Sequence, residues 1–145
     1  MGHTVSAGVV FDSRHHEFLA SNGEQGLESI SAPLSVIVQV TRRCPLKCAF
    51  CSESEQFEDP AFATLQSLAA KLSGVQRIYL SGGEPLLRKD IYNIIDHYRS
   101  VFPVVGLPTN CLYISKDIAD RLRGRISYVN AGLDGPREIN DRVRG

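Results

Sequence analysis

The 145-residue sequence predicts an α/β fold in which parallel strands alternate with helices. Three observations carry that expectation. Four apolar, largely β-branched runs recur after Pro33, and the stretches between them place apolar residues at helical spacing. The connections are short, which favours strand–helix–strand units with parallel neighbours. Hydrophobic residues at 43% and charged residues at 22% describe an ordinary folded domain and exclude a disordered or collagen-like chain.

The elements follow in order. Residues 1–33 are an N-terminal extension, in which Val9-Val10-Phe11 and Phe18-Leu19-Ala20 flank Arg14, His15 and His16 and suggest a short hairpin. Ser21-Asn22-Gly23 then marks a turn. Leu34 to Val40 reads as a buried strand. Asp59-Pro60 offers an N-cap and a first helical proline, and Phe62, Leu65, Leu68, Ala69 and Leu72 form the apolar stripe of a helix stopped at Gly74. Val75 to Leu80 is the second strand, and Ser81-Gly82-Gly83 a turn. Asp90 caps a helix with Ile91, Ile94, Ile95 and Tyr98 on one face. Val104 to Leu107 is the third strand. Ser115 caps a helix carrying Ile118, Ala119 and Leu122 that Gly124 ends, and Ile126 to Leu133 is the fourth strand. No internal repeat or low-complexity tract interrupts this order, and the core domain is expected to span residues 34–145.

Lysine plus arginine and aspartate plus glutamate number 16 each, so the formal charge is zero and nothing points to nucleic acid as a partner. No apolar run reaches the ~18 residues of a membrane span. Nor does the N-terminus combine a basic region with a long apolar stretch, as a secretory signal does. The expected compartment is the cytoplasm, where thiols stay reduced, and the four cysteines there point to metal or catalysis rather than disulfides.

Cys44, Cys48 and Cys51 stand in Cys-Pro-Leu-Lys-Cys-Ala-Phe-Cys, directly after the first strand. Thiolates are soft ligands suited to zinc or to iron–sulfur clusters. Three of them in so short a loop would leave one iron of a [4Fe–4S] cube without a protein ligand and open to another molecule. Arg42, Arg43 and Lys47 would offset the thiolate charge. A structural zinc site is the alternative, with Cys111 or His97 as fourth ligand, although neither sits in a second paired motif. Cysteines that bind nothing complete the choices.

The three-then-two cysteine spacing, with the aromatic Phe50 before the third cysteine, resembles the cluster motif of the radical S-adenosylmethionine (radical SAM) enzymes. Gly82-Gly83-Glu84-Pro85 after the second strand is similar to the Gly-Gly-Glu-Pro motif of that family, and Thr109-Asn110 to its Thr-Asn-Gly element. Leu133-Asp134-Gly135-Pro136 and Asn140 to Gly145 resemble the segment after the fourth strand in members related to the molybdenum-cofactor cyclase and the peptide-maturing enzymes. The resemblance covers residues 34–145. It implies a parallel (βα) half-barrel, an incomplete portion of a partial TIM barrel of about six βα units, and hence the N-terminal portion of a longer enzyme.

The resemblance also implies a chemistry. A [4Fe–4S] cluster on Cys44, Cys48 and Cys51 would hold S-adenosylmethionine by its amino and carboxylate groups. An electron from a flavodoxin- or ferredoxin-like donor would then yield a 5′-deoxyadenosyl radical that abstracts hydrogen from an unidentified substrate, a peptide or cofactor precursor. Gly82 and Gly83 would let the backbone approach the methionyl amino group, Glu84 would offer it a carboxylate, and Phe50 would stack on adenine. Thr109 and Asn110 would present polar groups at the mouth of the sheet. A catalytically silent iron–sulfur module is the competing function. Two positions depart from the pattern: Cys111 replaces the glycine of Thr-Asn-Gly, and Gly132 replaces a serine that can bond the cofactor.

The remaining polar residues have plainer readings. His15-His16 suits a solvated turn and His97 a partly buried surface. Glu53, Glu55, Glu58 and Asp59 suit a helix N-terminus, and Arg121, Arg123 and Arg125 a helix C-terminus.

Overall fold

A computed structural model describes residues 3–6, 9–12, 17–20, 33–51 and 58–145. The expected turn at Ser21-Asn22-Gly23, the His15-His16 pair, Arg14, Glu53 and Glu55 lie outside the described residues. Strands β1 (His3–Ser6), β2 (Val9–Asp12) and β3 (Glu17–Ala20) make an antiparallel sheet in that order. Val9 faces Ala20 and Phe11 faces Phe18, which is the expected hairpin with one strand added before it.

The second sheet runs β4 (Ser35–Thr41), β5 (Arg77–Gly82), β6 (Val104–Thr109) and β7 (Tyr128–Ala131), with every pairing parallel. Helices α1 (Phe62–Lys71), α2 (Ile91–Val101) and α3 (Lys116–Leu122) fill the three crossovers, and α4 (Arg137–Arg144) follows β7. The result is the half-barrel-like α/β sheet that the sequence predicts.

Period-two alternation decides which face is covered. Val38 and Val40 of β4, Ile78 and Leu80 of β5, and Val105 and Leu107 of β6 are buried against the helices, while Ile37 on the opposite face is 71% exposed. From the helix side Ile91, Ile94, Ile95 and Tyr98 of α2 are all buried, as their spacing predicts. The Tyr98 hydroxyl donates to the Leu65 carbonyl at 2.9 Å, so the buried phenol is satisfied and α2 is tied to α1.

The differences from expectation lie at element ends. Strands β4, β5 and β6 continue to Thr41, Gly82 and Thr109, because Gly82 still pairs with Thr41, and Thr109 with Ala131. Helix α1 begins at Phe62 with Ala61 at the cap position, so Asp59 does not cap it. Asp90 does occupy the N-cap of α2, but its carboxylate is taken by Arg88 and makes no cap bond. Ser115 caps α3 as expected, its hydroxyl accepting from the Ile118 amide at 3.2 Å. Leu68 and Ala119 are exposed rather than in the core, since α1 buries a narrower stripe and α3 turns only Leu122 fully inward. Helix α4 has no counterpart among the expected elements: its face is polar and gives no apolar stripe. Among the described residues no helix is long and apolar enough to cross a membrane.

Candidate cofactor site

The carboxyl ends of β4 to β7 open into one cavity of about 380 Å3, at the edge where parallel α/β folds carry their ligands. Cys44, Cys48 and Cys51 all line it, as do Phe50, Gly82, Gly83, Thr109 and Asn110. Residues from three separate motifs therefore meet at one place. The four described cysteines are unpaired thiols. Among the described residues no three His, Cys, Asp or Glu side chains converge as a single metal ion requires. The two alternative zinc ligands are elsewhere. His97 packs edge-on against Phe62 and Tyr98 in the helix layer, and Cys111 lines a separate apolar groove with Ile114, Leu122 and Val129.

The base of the cysteine loop is built by close backbone contact. A Cβ on Gly82, whose φ is +152°, would overlap the Thr41 carbonyl. One on Gly83 would lie 2.5 Å from the Arg43 carbonyl oxygen and 2.7 Å from that of Arg42. The Gly83 amide donates to the Thr41 carbonyl at 3.0 Å, and the Glu84 amide to that of Arg43 at 2.8 Å. Glycine at 82 and 83 thus lets the β5 turn lie directly on the chain that leads to Cys44.

Glu84 and Pro85 lie behind the cavity wall. Glu84 is fully buried. Its carboxylate accepts from the Thr109 hydroxyl at 2.9 Å, the Asn110 amide at 2.8 Å and the Leu86 amide at 3.1 Å. Pro85 opens the short 3-10 turn Pro85–Leu87 that Glu84 caps. The glutamate thereby fastens the end of β5 to the end of β6. Asn110 carries the link onward, its amide Nδ2 standing 3.7 Å from the Cys44 sulfur as a donor.

Leu46, Ser81, Pro108, Asn130 and Arg144 also line the cavity, and the sequence reading assigns none of them a role there. Arg144 is the one cation among the described lining residues. Its guanidinium bonds Asp134 at 2.6 Å and lies 5.6 Å from the Phe50 ring centroid. A Cβ on Gly132 would come within 2.7 Å of that guanidinium, so the glycine that departs from the family pattern leaves the space the arginine fills. The Val143 carbonyl accepts from the Ala49 amide at 2.8 Å, docking α4 on the cysteine loop. An amphipathic-stripe search passes over Arg144, and only the pairing of Asp134 with a basic residue ten positions on could have suggested it.

The second departure also has a structural counterpart. Cys111 has φ +67°, the left-handed backbone that glycine adopts without strain, and is the only described non-glycine residue with positive φ.

Comparison with known proteins agrees with the motifs. The family model described as the Radical SAM superfamily matches residues 38–145. Fe-coproporphyrin III synthase of Methanosarcina barkeri is 36% identical over 119 residues, 76% of this chain and 29% of that protein. PqqA peptide cyclase of Bradyrhizobium diazoefficiens is 29% identical over 128 residues, 81% of this chain and 33% of that one. Among solved structures, Streptococcus suis SuiB bound to its precursor peptide SuiA superposes with a TM-score of 0.69 at 24% identity, over 80% of this chain and 28% of SuiB. That likeness shows the shared fold. The chain spans about a third or less of the length of these relatives. With a family match over residues 38–145 and its motifs gathered at one cavity, the chain belongs to the radical SAM superfamily.

Proposed function

We propose that this chain is the cofactor-binding portion of a radical SAM enzyme, holding a [4Fe–4S] cluster on Cys44, Cys48 and Cys51 with S-adenosylmethionine beside it. The observation that carries the reading is that the three thiols and the Gly82–Gly83 backbone line one cavity at the carboxyl ends of the parallel strands. The donor set fits: three soft thiols lining one cavity suit an iron–sulfur cluster. Bound there, the two cofactors would supply a 5′-deoxyadenosyl radical for hydrogen abstraction.

The chain's own residues position and balance charge. The Asn110 Nδ2 donor at Cys44 withdraws charge from that sulfur, one of the levers on cluster potential. Gly82, Gly83, Thr109 and Asn110 border the space for the methionyl group. Arg144, oriented by Asp134, supplies the cation that a carboxylate in the cavity needs. Phe50, 63% exposed, offers a ring face for the adenine. Glu84 acts by positioning, since its oxygens are engaged behind the wall. Residues 34–145 would be the core and 1–33 an extension, in a cytoplasmic protein served by a flavodoxin- or ferredoxin-like donor. A peptide or a cofactor precursor as substrate is supported by the relatives, one named as a peptide cyclase and one as an Fe-coproporphyrin III synthase.

Iron and acid-labile sulfide after anaerobic reconstitution test the ligand set. The wild-type chain should bind both, and the triple variant Cys44→Ala, Cys48→Ala, Cys51→Ala neither. Iron and sulfide retained by the triple variant, or zinc without sulfide in the wild type, would contradict the reading.

A further inference from the structure

We propose that Asp59 is a positioning residue that fastens the two ends of the cysteine loop together, so that the three thiols are presented before metal is loaded. The inference rests on the cluster reading above and adds a residue to it. Asp59 is free for this role because α1 starts at Phe62 and takes no cap bond from it. Its Oδ1 accepts from the Thr41 hydroxyl at 2.6 Å, 18 positions earlier, and its Oδ2 from the Arg43 guanidinium at 2.5 Å. The same Thr41 hydroxyl accepts from the Arg43 amide at 3.1 Å, and Thr41 is 1% exposed. One carboxylate thus joins the last residue of β4 to the segment before α1, and all three cysteines lie between them in sequence.

A second fastening runs in parallel. The Arg88 guanidinium donates to the Val40 carbonyl at 2.6 Å and to the Pro60 carbonyl at 2.9 Å. The two differ in kind: Arg88 joins the segments through backbone carbonyls, whereas Asp59 joins them through the side chains of Thr41 and Arg43, the latter preceding Cys44 in sequence. Burial alone would raise the Asp59 carboxyl, but the bonds from Arg43 and Thr41 and the charges of Arg43 and Arg88 outweigh it and keep the group ionised below its ordinary value. Three thiolates that must meet at one group lose chain entropy when they do, and joining the ends of the loop beforehand lowers that loss. Asp59 also sets the charge at Arg43. While paired, the guanidinium and the carboxylate together carry no net charge.

The test uses the full chain, reconstituted anaerobically with ferrous iron and sulfide, as wild type, Asp59→Asn and Thr41→Val. Iron release to a chelator and the midpoint potential are measured, with circular dichroism confirming that each variant is folded. Both variants should release iron faster, Asp59→Asn by roughly tenfold, as loss of a hydrogen bond to a charged group implies. Asp59→Asn alone should also shift the potential to more positive values, since it removes one negative charge from the folded chain. Wild-type release rates in both variants overturn the proposal while leaving the cluster reading intact. Faster release in both with an unmoved potential reduces Asp59 to a fold buttress and also overturns it. Should Asp59→Asn not fold, the release rate of Thr41→Val decides. A wild-type chain that takes up no iron overturns the cluster reading itself, and the positioning role with it.

Discussion

The two halves of β4 are held in different ways. Val38 and Val40 pack into an apolar layer with Ile78, Leu80 and the isoleucines of α2, where close packing does the work. At Thr41, the residue after Val40, apolar contact gives way to a polar lattice. Asp59, Arg43 and Arg88 fasten the chain there, and beyond it Glu84 gathers Thr109 and Asn110. The apolar layer is indifferent to what binds at the strand ends. The polar lattice reaches Cys44 through Asn110, so it couples the fold to the cavity. Variants in the layer should therefore change stability and affect iron retention only in proportion, whereas variants in the lattice should change iron retention by more than their stability cost explains.

The largest effect belongs to the layer. Ile94 is fully buried between α2 and the sheet, and Ile94→Ala should cost about 3 kcal/mol in urea unfolding. The folded fraction should keep the wild-type iron release rate. In the lattice, Glu84→Ala strands the Thr109 hydroxyl and the Asn110 and Leu86 amides without their acceptor, at roughly 2 kcal/mol. It should also release iron faster at denaturant concentrations where the chain is folded, because Asn110 is no longer held against Cys44. Equal release rates in the two variants would erase the distinction between the regions.

Acid should also separate the regions. The Asp90 carboxyl is lowered chiefly by its bond from Arg88, and that of Asp59 by its bonds from Arg43 and Thr41 in spite of burial. For a depressed carboxyl the unfolded chain takes up protons first as pH falls, so stability rises with pH through that range. The contribution is complete above the ordinary aspartate value, about 3.9, and is lost as pH falls through the folded values. Acid titration followed by circular dichroism should show less of this dependence in Asp59→Asn than in wild type. The smallest effect is a gain: Cys111→Gly, which removes the left-handed strain at φ +67°, should stabilise the chain by about 0.5–1 kcal/mol.

The same division governs what the sequence made legible. The stripe Ile91, Ile94, Ile95, Tyr98 and the alternation in β4 are local patterns set by one helix or one strand, and they read correctly without tertiary knowledge. The three cysteines and the glycines that share the cavity were legible because each motif closes its own strand, and parallel strands end on one side. The lattice was not legible, because the bonds that tie its segments together join residues 16 to 66 positions apart. Asp59-Pro60 carries a sound helix-start signal that tertiary contact overrode, since two donors outside the helix compete for the same carboxylate. Arg144 reads as part of the family segment but with no site role, because α4 is polar and its partners, Asp134 and Phe50, come from other segments.

Electron paramagnetic resonance of the anaerobically reconstituted, reduced chain, recorded with and without S-adenosylmethionine, tests the central claim most directly. The account predicts a [4Fe–4S] signal whose shape changes when S-adenosylmethionine is added, as the proposed binding of that molecule beside the three cysteines requires. A cluster signal that ignores the added molecule would contradict the account and make this chain an iron–sulfur module with no place for the second cofactor.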